Sequence, residues 1–523
     1  MFSVATILAI ALFTYCLYRY YSTRKSKSIN PLPPGPSPWP IIGCLPQMLK
    51  EPNKYKWIKR LSKDLNTDIL CIRIGNVHVI PVLSQTFAIE FLREKDIIFA
   101  SRSKSSGMAL LSHNYMSSVS APSGKQWTKM RKMMAAELFS PAMHQWFLNK
   151  RVEEADNVIA YIHNLPDGIV DLRKTSLYYA ASILKKLIFN RRYFGEAMPD
   201  KGPGPADEEH TDAVMKALLY LFSLGISDFF PFVSGIFDVD GKDKKVIEAI
   251  KTIEKYQNPI IEERINIWRR GGSSSVSPDM LDIMINLKDT DGAPLLSEAE
   301  IKGQINELLL GGIDNTSNSV EWALAEMLNK PSIMHKAVEE LDSVVGNKER
   351  FVEESDIPRL KYIKAILIES FRLHPVQPFI PPHYATKDAT VGGYLIPKGS
   401  HILISRLDLG RNPNVWEDAL TFNPDRHIQS CAALRSTITD PDLGFLSFGV
   451  GRRACAAGTL GTSMTVMLLA RLVQAFDWSL PEAVSADSQL QACEDSGLLL
   501  MASPLVARAT PRLPRHLYLA LAV

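Results

Sequence analysis

No cysteine in this sequence has a partner at disulfide or zinc-site spacing. The six of them, at 16, 44, 71, 431, 455 and 493, are scattered. That pattern argues for reduced thiols in a reducing compartment. An excess of either charge is also missing. Lys and Arg total 59 against 56 Asp and Glu, and a net charge of +3 gives no compositional support for a nucleic-acid partner. There is no internal repeat, and the one low-complexity stretch, GGSSSVS at 271–277, reads as a surface loop. Hydrophobic residues make up 46% of the chain, enough for a large core.

One uncharged run stands at the start. MFSVATILAIALFTYCLY is followed at once by Arg19, Arg24, Lys25 and Lys27. A membrane-spanning helix needs about 17–25 residues, and a cleaved signal would carry its charge ahead of the apolar run. The order here predicts an uncleaved single-pass anchor over 1–22, in contact with membrane lipid, with the rest of the chain in the cytosol. A basic, proline-rich hinge over 23–44 contains PLPPGPSPWP, a stiff spacer. From 45 to 523 the patterning predicts one domain, mainly α with a minor β-sheet. Its strand-like runs lie near 69–82 and 389–404.

Three helices carry the polar chemistry. The first starts at a capping box, Ser297 and Glu300, and runs until Pro331. Its middle reads LLLGGIDNTSN. Gly311 and Gly312 together cost about 2 kcal/mol relative to two alanines, so a local opening over a ligand is expected there. Asp314, Asn315 and Thr316 follow directly. The second helix, 357–373, places Glu369 and Arg372 on one face as an ion pair. Burial of that pair demands a further partner, and Arg426 in TFNPDRH offers one.

The third helix begins after SFGVGRRACAAG. Its amino-terminal end directs N–H groups and partial positive charge at Cys455, which favours a thiolate. Gly449 and Gly451 permit a tight turn beneath something flat, and Arg452 and Arg453 suit anionic groups on it. A lone thiolate with one open face suits an axial ligand of haem iron. A cysteine nucleophile is the competing reading; it needs a histidine base, and His427 is remote in sequence.

These residues together make the chain resemble a cytochrome P450. Phe448, Gly451, Arg453 and Cys455 match the family's haem signature, and Glu369 with Arg372 its Glu-x-x-Arg motif. The FNPDR segment ending at Arg426 completes the structural triad. Trp127 and Arg131 match a Trp-x-x-x-Arg motif, and LLLGGIDNTS is similar to the oxygen-binding helix. The resemblance implies the cytochrome P450 fold, haem b with Cys455 as thiolate ligand, and propionates held by Arg453, Arg131, Trp127 and His383. It implies an oxygen pocket lined by Gly311, Gly312, Asp314, Asn315 and Thr316. It also implies O2 as co-substrate, and NADPH electrons delivered by a membrane-bound NADPH–cytochrome P450 reductase at the endoplasmic reticulum.

Asn315, the PDRH tetrapeptide, HPVQPFIPPH and LGTSMTVMLLARLVQAFDW resemble plant amino-acid N-monooxygenases of specialised defence metabolism. That subgroup turns an amino acid into its aldoxime through two N-hydroxylations, dehydration and loss of carbon dioxide. Thr316 stands where the subgroup commonly has proline, and Ala454 and Ala457 where it has glycine. The pocket is expected around His113, Val376, Gln377 and Phe379, with phenylalanine as the favoured substrate. Competing readings are a carbon-hydroxylating P450 of small hydrophobic or phenolic metabolites, a reductase-independent haem-thiolate isomerase or dehydratase, and a tethered haem binder without activity.

Overall fold

The computed structural model describes residues 13–14, 30–198, 202–221, 229, 241–272, 278–346, 348–429, 437–438, 440, 442–481 and 498–521. Apart from residues 13–14, the expected anchor over 1–22 lies outside these residues, as does 23–29 of the hinge. Among the described residues no helix is long and apolar enough to cross a membrane.

The chain divides into two compact units, one of residues 1–103 and 381–405, the other of 104–380 and 406–523. The first holds a four-stranded sheet. Strands β1 (Ile72–Ile74) and β2 (Val77–Val82) pair antiparallel. Strands β4 (His383–Tyr384) and β7 (His401–Ile404) complete the order β1-β2-β7-β4, with β2 and β7 parallel. A hairpin of β5 (Ala389–Val391) and β6 (Tyr394–Ile396) turns through Gly392 and Gly393, both at positive φ, the geometry a two-residue hairpin loop demands. Both strand-like regions of the sequence are therefore strands.

The second unit is helical around a small sheet of β3 (Ile169–Asp171), β9 (Val506–Pro511) and β8 (Phe476–Ser479). Its principal helices are α1 (Lys125–Met133), α2 (Leu148–His163), α3 (Leu172–Phe189), α4 (Pro205–Leu221) and α5 (Lys242–Arg269). They continue as α6 (Glu298–Asn329), α7 (Pro331–Val345), α8 (Lys361–Leu373) and α9 (Gly458–Ala475). The capping box at Ser297 and Glu300 is formed on both sides. At 32 residues α6 is about 48 Å long. Most of its residues are buried, and α3, α8 and α9 pack along it. The helix expected from 357 begins instead at Lys361, because Pro358 sits in a 3-10 turn over Glu354–Arg359.

Candidate active site

Cys455 lies where a left-handed turn meets a helix. Gly449 and Gly451 take φ of +70° and +72°, values that glycine adopts without strain. The turn brings the Cys455 N–H to the Phe448 carbonyl at 2.8 Å, and a single 3-10 turn, Gly451–Arg453, leads toward α9. The residue is exposed. Burial nevertheless pushes its thiol up, outweighing the Ala457 N–H and the charges of Arg131 and Arg406, which pull it down. The helix end alone therefore does not ionise this cysteine, as the sequence suggested it would. A coordinated metal ion would.

Arg453 is held by Trp127 and the 118–121 segment. Its guanidinium lies over the Trp127 ring, 4.7 Å from the centroid. It donates to the carbonyls of Ala121 at 2.7 Å, Ser118 at 3.3 Å and Val119 at 3.4 Å. Helix α6 grips the same segment through its N–H groups. Glu307 accepts from Val119 and Ser120 at 2.7 and 2.8 Å, and Gln304 accepts from Ser118 at 3.1 Å. Trp127 and Arg131, four apart on α1, share a face. Burial lowers the Arg131 guanidinium, and the Cys455 charge opposes that shift.

The middle of α6 does not open. The helix is continuous through Gly311 and Gly312, and the glycines act differently. A Cβ on Gly312 would stand 2.7 Å from Leu184 Cδ1 of α3, whereas a Cβ on Gly311 would meet no atom within 4 Å. Gly311 is exposed on a helix whose flanks are buried. Asn315, one turn on, donates from Nδ2 to the Gly311 carbonyl at 2.8 Å, which leaves Oδ1 as a spare acceptor. Asp314 and Thr316 are buried. Burial raises the Asp314 carboxyl to about 7, with the Arg173 charge opposing and the Glu321 charge adding, and its Oδ1 has no hydrogen-bond partner.

The structural triad is a quartet. Arg372 donates to both Glu369 oxygens at 2.7 and 2.8 Å, and to the carbonyls of Gly410, Ala419 and Thr421. Arg426 Nε reaches Glu369 Oε1 at 3.1 Å, as expected. His427 Nε2 sits 2.7 Å from Glu369 Oε2, so the histidine considered as a base for Cys455 is committed to this cluster. Burial pushes Glu369 up, but hydrogen bonds from Arg372 and His427 and their charges bring it down to about 2.

The remaining expected residues divide between the units. Val376 and Gln377 are buried, and Phe379 is half-buried. The Val376 carbonyl accepts from Leu499 N–H at 2.8 Å. His113 takes φ of +47°, and its Nε2 lies 3.0 Å from Glu254 Oε1 without hydrogen-bond alignment. In the first unit, Arg102 donates to the Pro381 and Pro382 carbonyls at 2.9 and 3.0 Å, a structural role. There the His383 ring places Nδ1 3.1 Å from the Phe99 carbonyl. Sequence reasoning missed Glu307 and Arg406, and did not connect His427 to Glu369. Only the histidine left a signal, as the last residue of PDRH.

An exposed cysteine at a glycine turn, a helix face bared at Gly311 and the half-buried cations Arg131 and Arg406 fit a flat, anionic, metal-bearing group. The cytochrome P450 family model matches residues 33–506. A tryptophan N-monooxygenase of Prunus mume is 46% identical over 522 residues, covering 98% of this chain and 97% of that protein. A valine N-monooxygenase of Manihot esculenta is 47% identical, covering 96% of this chain and 91% of its own. A phenylalanine N-monooxygenase of Prunus mume is 45% identical over 98% of both chains. The chain belongs to the cytochrome P450 family, haem-thiolate monooxygenases that draw NADPH electrons through a reductase.

Proposed function

We propose that this protein is an amino-acid N-monooxygenase that converts its substrate to the aldoxime, with phenylalanine favoured. The observation that carries the reading is near-full-length identity of 45–47% to enzymes named for N-oxidation of amino acids with dissimilar side chains. What those enzymes share is the amino-acid head group, so the shared sequence supports that group. Identity of similar size to tryptophan, valine and phenylalanine enzymes does not select a side chain. The preference for phenylalanine rests on Phe379 and on Met108 and Met116 of the 101–124 stretch.

Haem iron, when bound, activates O2 with two electrons from the reductase. Cys455 would supply its thiolate, with Arg131, Trp127 and Arg453 around the propionates and His383 assigned by family resemblance alone. Asn315 holds a hydrogen-bond acceptor on the bared face of α6, where an amine N–H can donate to it. Its own amide is fixed by Gly311, so the acceptor is oriented before substrate arrives. Asp314, near neutrality in its titration, can hold and release a proton close to that face. An anchor at 1–22 would tether the enzyme to the endoplasmic reticulum, beside its reductase.

Full-length protein co-expressed with reductase in microsomes, given NADPH and pooled amino acids, should yield an aldoxime. No aldoxime from any amino acid, with haem incorporated, would contradict the substrate class and leave the family unchanged.

A further inference from the structure

Arg406 opens the short helix Arg406–Gly410 and is anchored through its backbone, whose N–H donates to the Pro378 carbonyl at 2.8 Å. Its side chain has no such anchor. Nε is buried without a hydrogen-bond partner, and among the described residues no carboxylate or carbonyl receives its guanidinium. The fully buried arginines of this unit each face a carboxylate, although Arg471 Nε, like Arg406 Nε, makes no hydrogen bond. Arg372 has Glu369 and three carbonyls, and Arg471 has Asp156 at 2.8 Å. Desolvation pulls Arg406 down to about 10, and among the described residues the charge that opposes this is Cys455. A guanidinium in that setting is costly unless an anion meets it. Its planar fork matches one anion best, a carboxylate held by two parallel bonds.

We propose that Arg406 binds a carboxylate in the neighbourhood of Cys455. Two molecules bring a carboxylate there: haem, through a propionate, and an amino-acid substrate, through its α-carboxylate. The second source rests on the function proposed above; the first does not. Arg406 is thus a binding residue rather than part of the structural quartet, and no motif of the sequence marked it.

The test uses full-length holoenzyme in microsomes and the variants Arg406→Gln and Arg406→Lys. One arm measures haem transfer to an excess of apomyoglobin. If a propionate is the ligand, the Gln variant should lose haem about tenfold faster, the size of one charge-assisted bond, and the Lys variant by less. The other arm measures spectral binding of phenylalanine, tryptophan and valine, each against its decarboxylated amine. If the substrate is the ligand, the Gln variant should bind the amino acid about tenfold more weakly while the amine is unaffected. The Lys variant carries both arms if the Gln variant does not take up haem, because it keeps the charge and loses the fork. Unchanged haem transfer together with an unchanged amino-acid-to-amine ratio would overturn the proposal. Failure to form aldoxime leaves the haem arm intact, so the two readings fail separately.

Discussion

In the function proposed here, substrate chemistry turns on Asn315. Its amide nitrogen is spent on Gly311 and its oxygen is not, so Asn315→Thr replaces a fixed acceptor by a rotating hydroxyl. Aldoxime formed per NADPH should fall while haem content stays constant; an unchanged ratio would remove Asn315 from the chemistry. Asp314 offers a cleaner sign. Its folded pKa of about 7 lies above the ordinary carboxylate value, so its contribution to stability is complete at low pH and is lost as pH rises through about 7. Asp314→Asn should therefore melt above the parent on the alkaline side of about pH 7, and the gap should close on acidification. Glu369 behaves in the opposite way. Held down to about 2, it contributes stability above its unfolded value, which is lost as pH falls through the acid range. Glu369→Ala would leave the buried Arg372 and His427 and the half-buried Arg426 without their carboxylate, a loss of about 3–5 kcal/mol. Melting temperature and haem content should both drop.

At the scale of elements, α6 is a scaffold with one bared face. Gly311→Ala adds a methyl that meets no protein atom and improves helix propensity by about 1 kcal/mol. That variant should melt at or above the parent and lose turnover, because the methyl enters the open space on the bared face. Gly303→Ala on the same helix puts a Cβ 2.7 Å from the Ser112 carbonyl oxygen. It should destabilise by about 1–3 kcal/mol, the usual cost of overpacking. Thermal melts with activity assays separate the two outcomes. The segment at 118–121 joins α6 to the cysteine turn, its N–H groups on Glu307 and Gln304 and its carbonyls on Arg453.

Across the whole molecule, what could be read from sequence was local or carried by a motif. Ser297 and Glu300 are three apart, as are Glu369 and Arg372, and such pairs reveal themselves by helical spacing alone. Pro331 marks a helix boundary in the same way, and Gly392-Gly393 a hairpin. The opening of α6 at Gly311 and Gly312 was misjudged, because a bared helix face and an interrupted helix leave the same glycines in the sequence. The partners of Glu307 lie 187 and 188 residues away, and His427 is 58 from Glu369. No periodicity reports contacts at that range. Arg406 was invisible for a related reason: its distinction is the lack of a protein partner, which only packing exposes.

The central claim, oxidation at nitrogen of an amino acid, is tested most directly by isotopes. Microsomes holding the full-length protein and reductase would receive NADPH, nitrogen-labelled phenylalanine and oxygen-labelled O2, and products would be read by mass spectrometry. Phenylacetaldoxime carrying the nitrogen label, with labelled oxygen on that nitrogen, is the expected product. Labelled oxygen on a carbon of the intact amino acid would contradict the account.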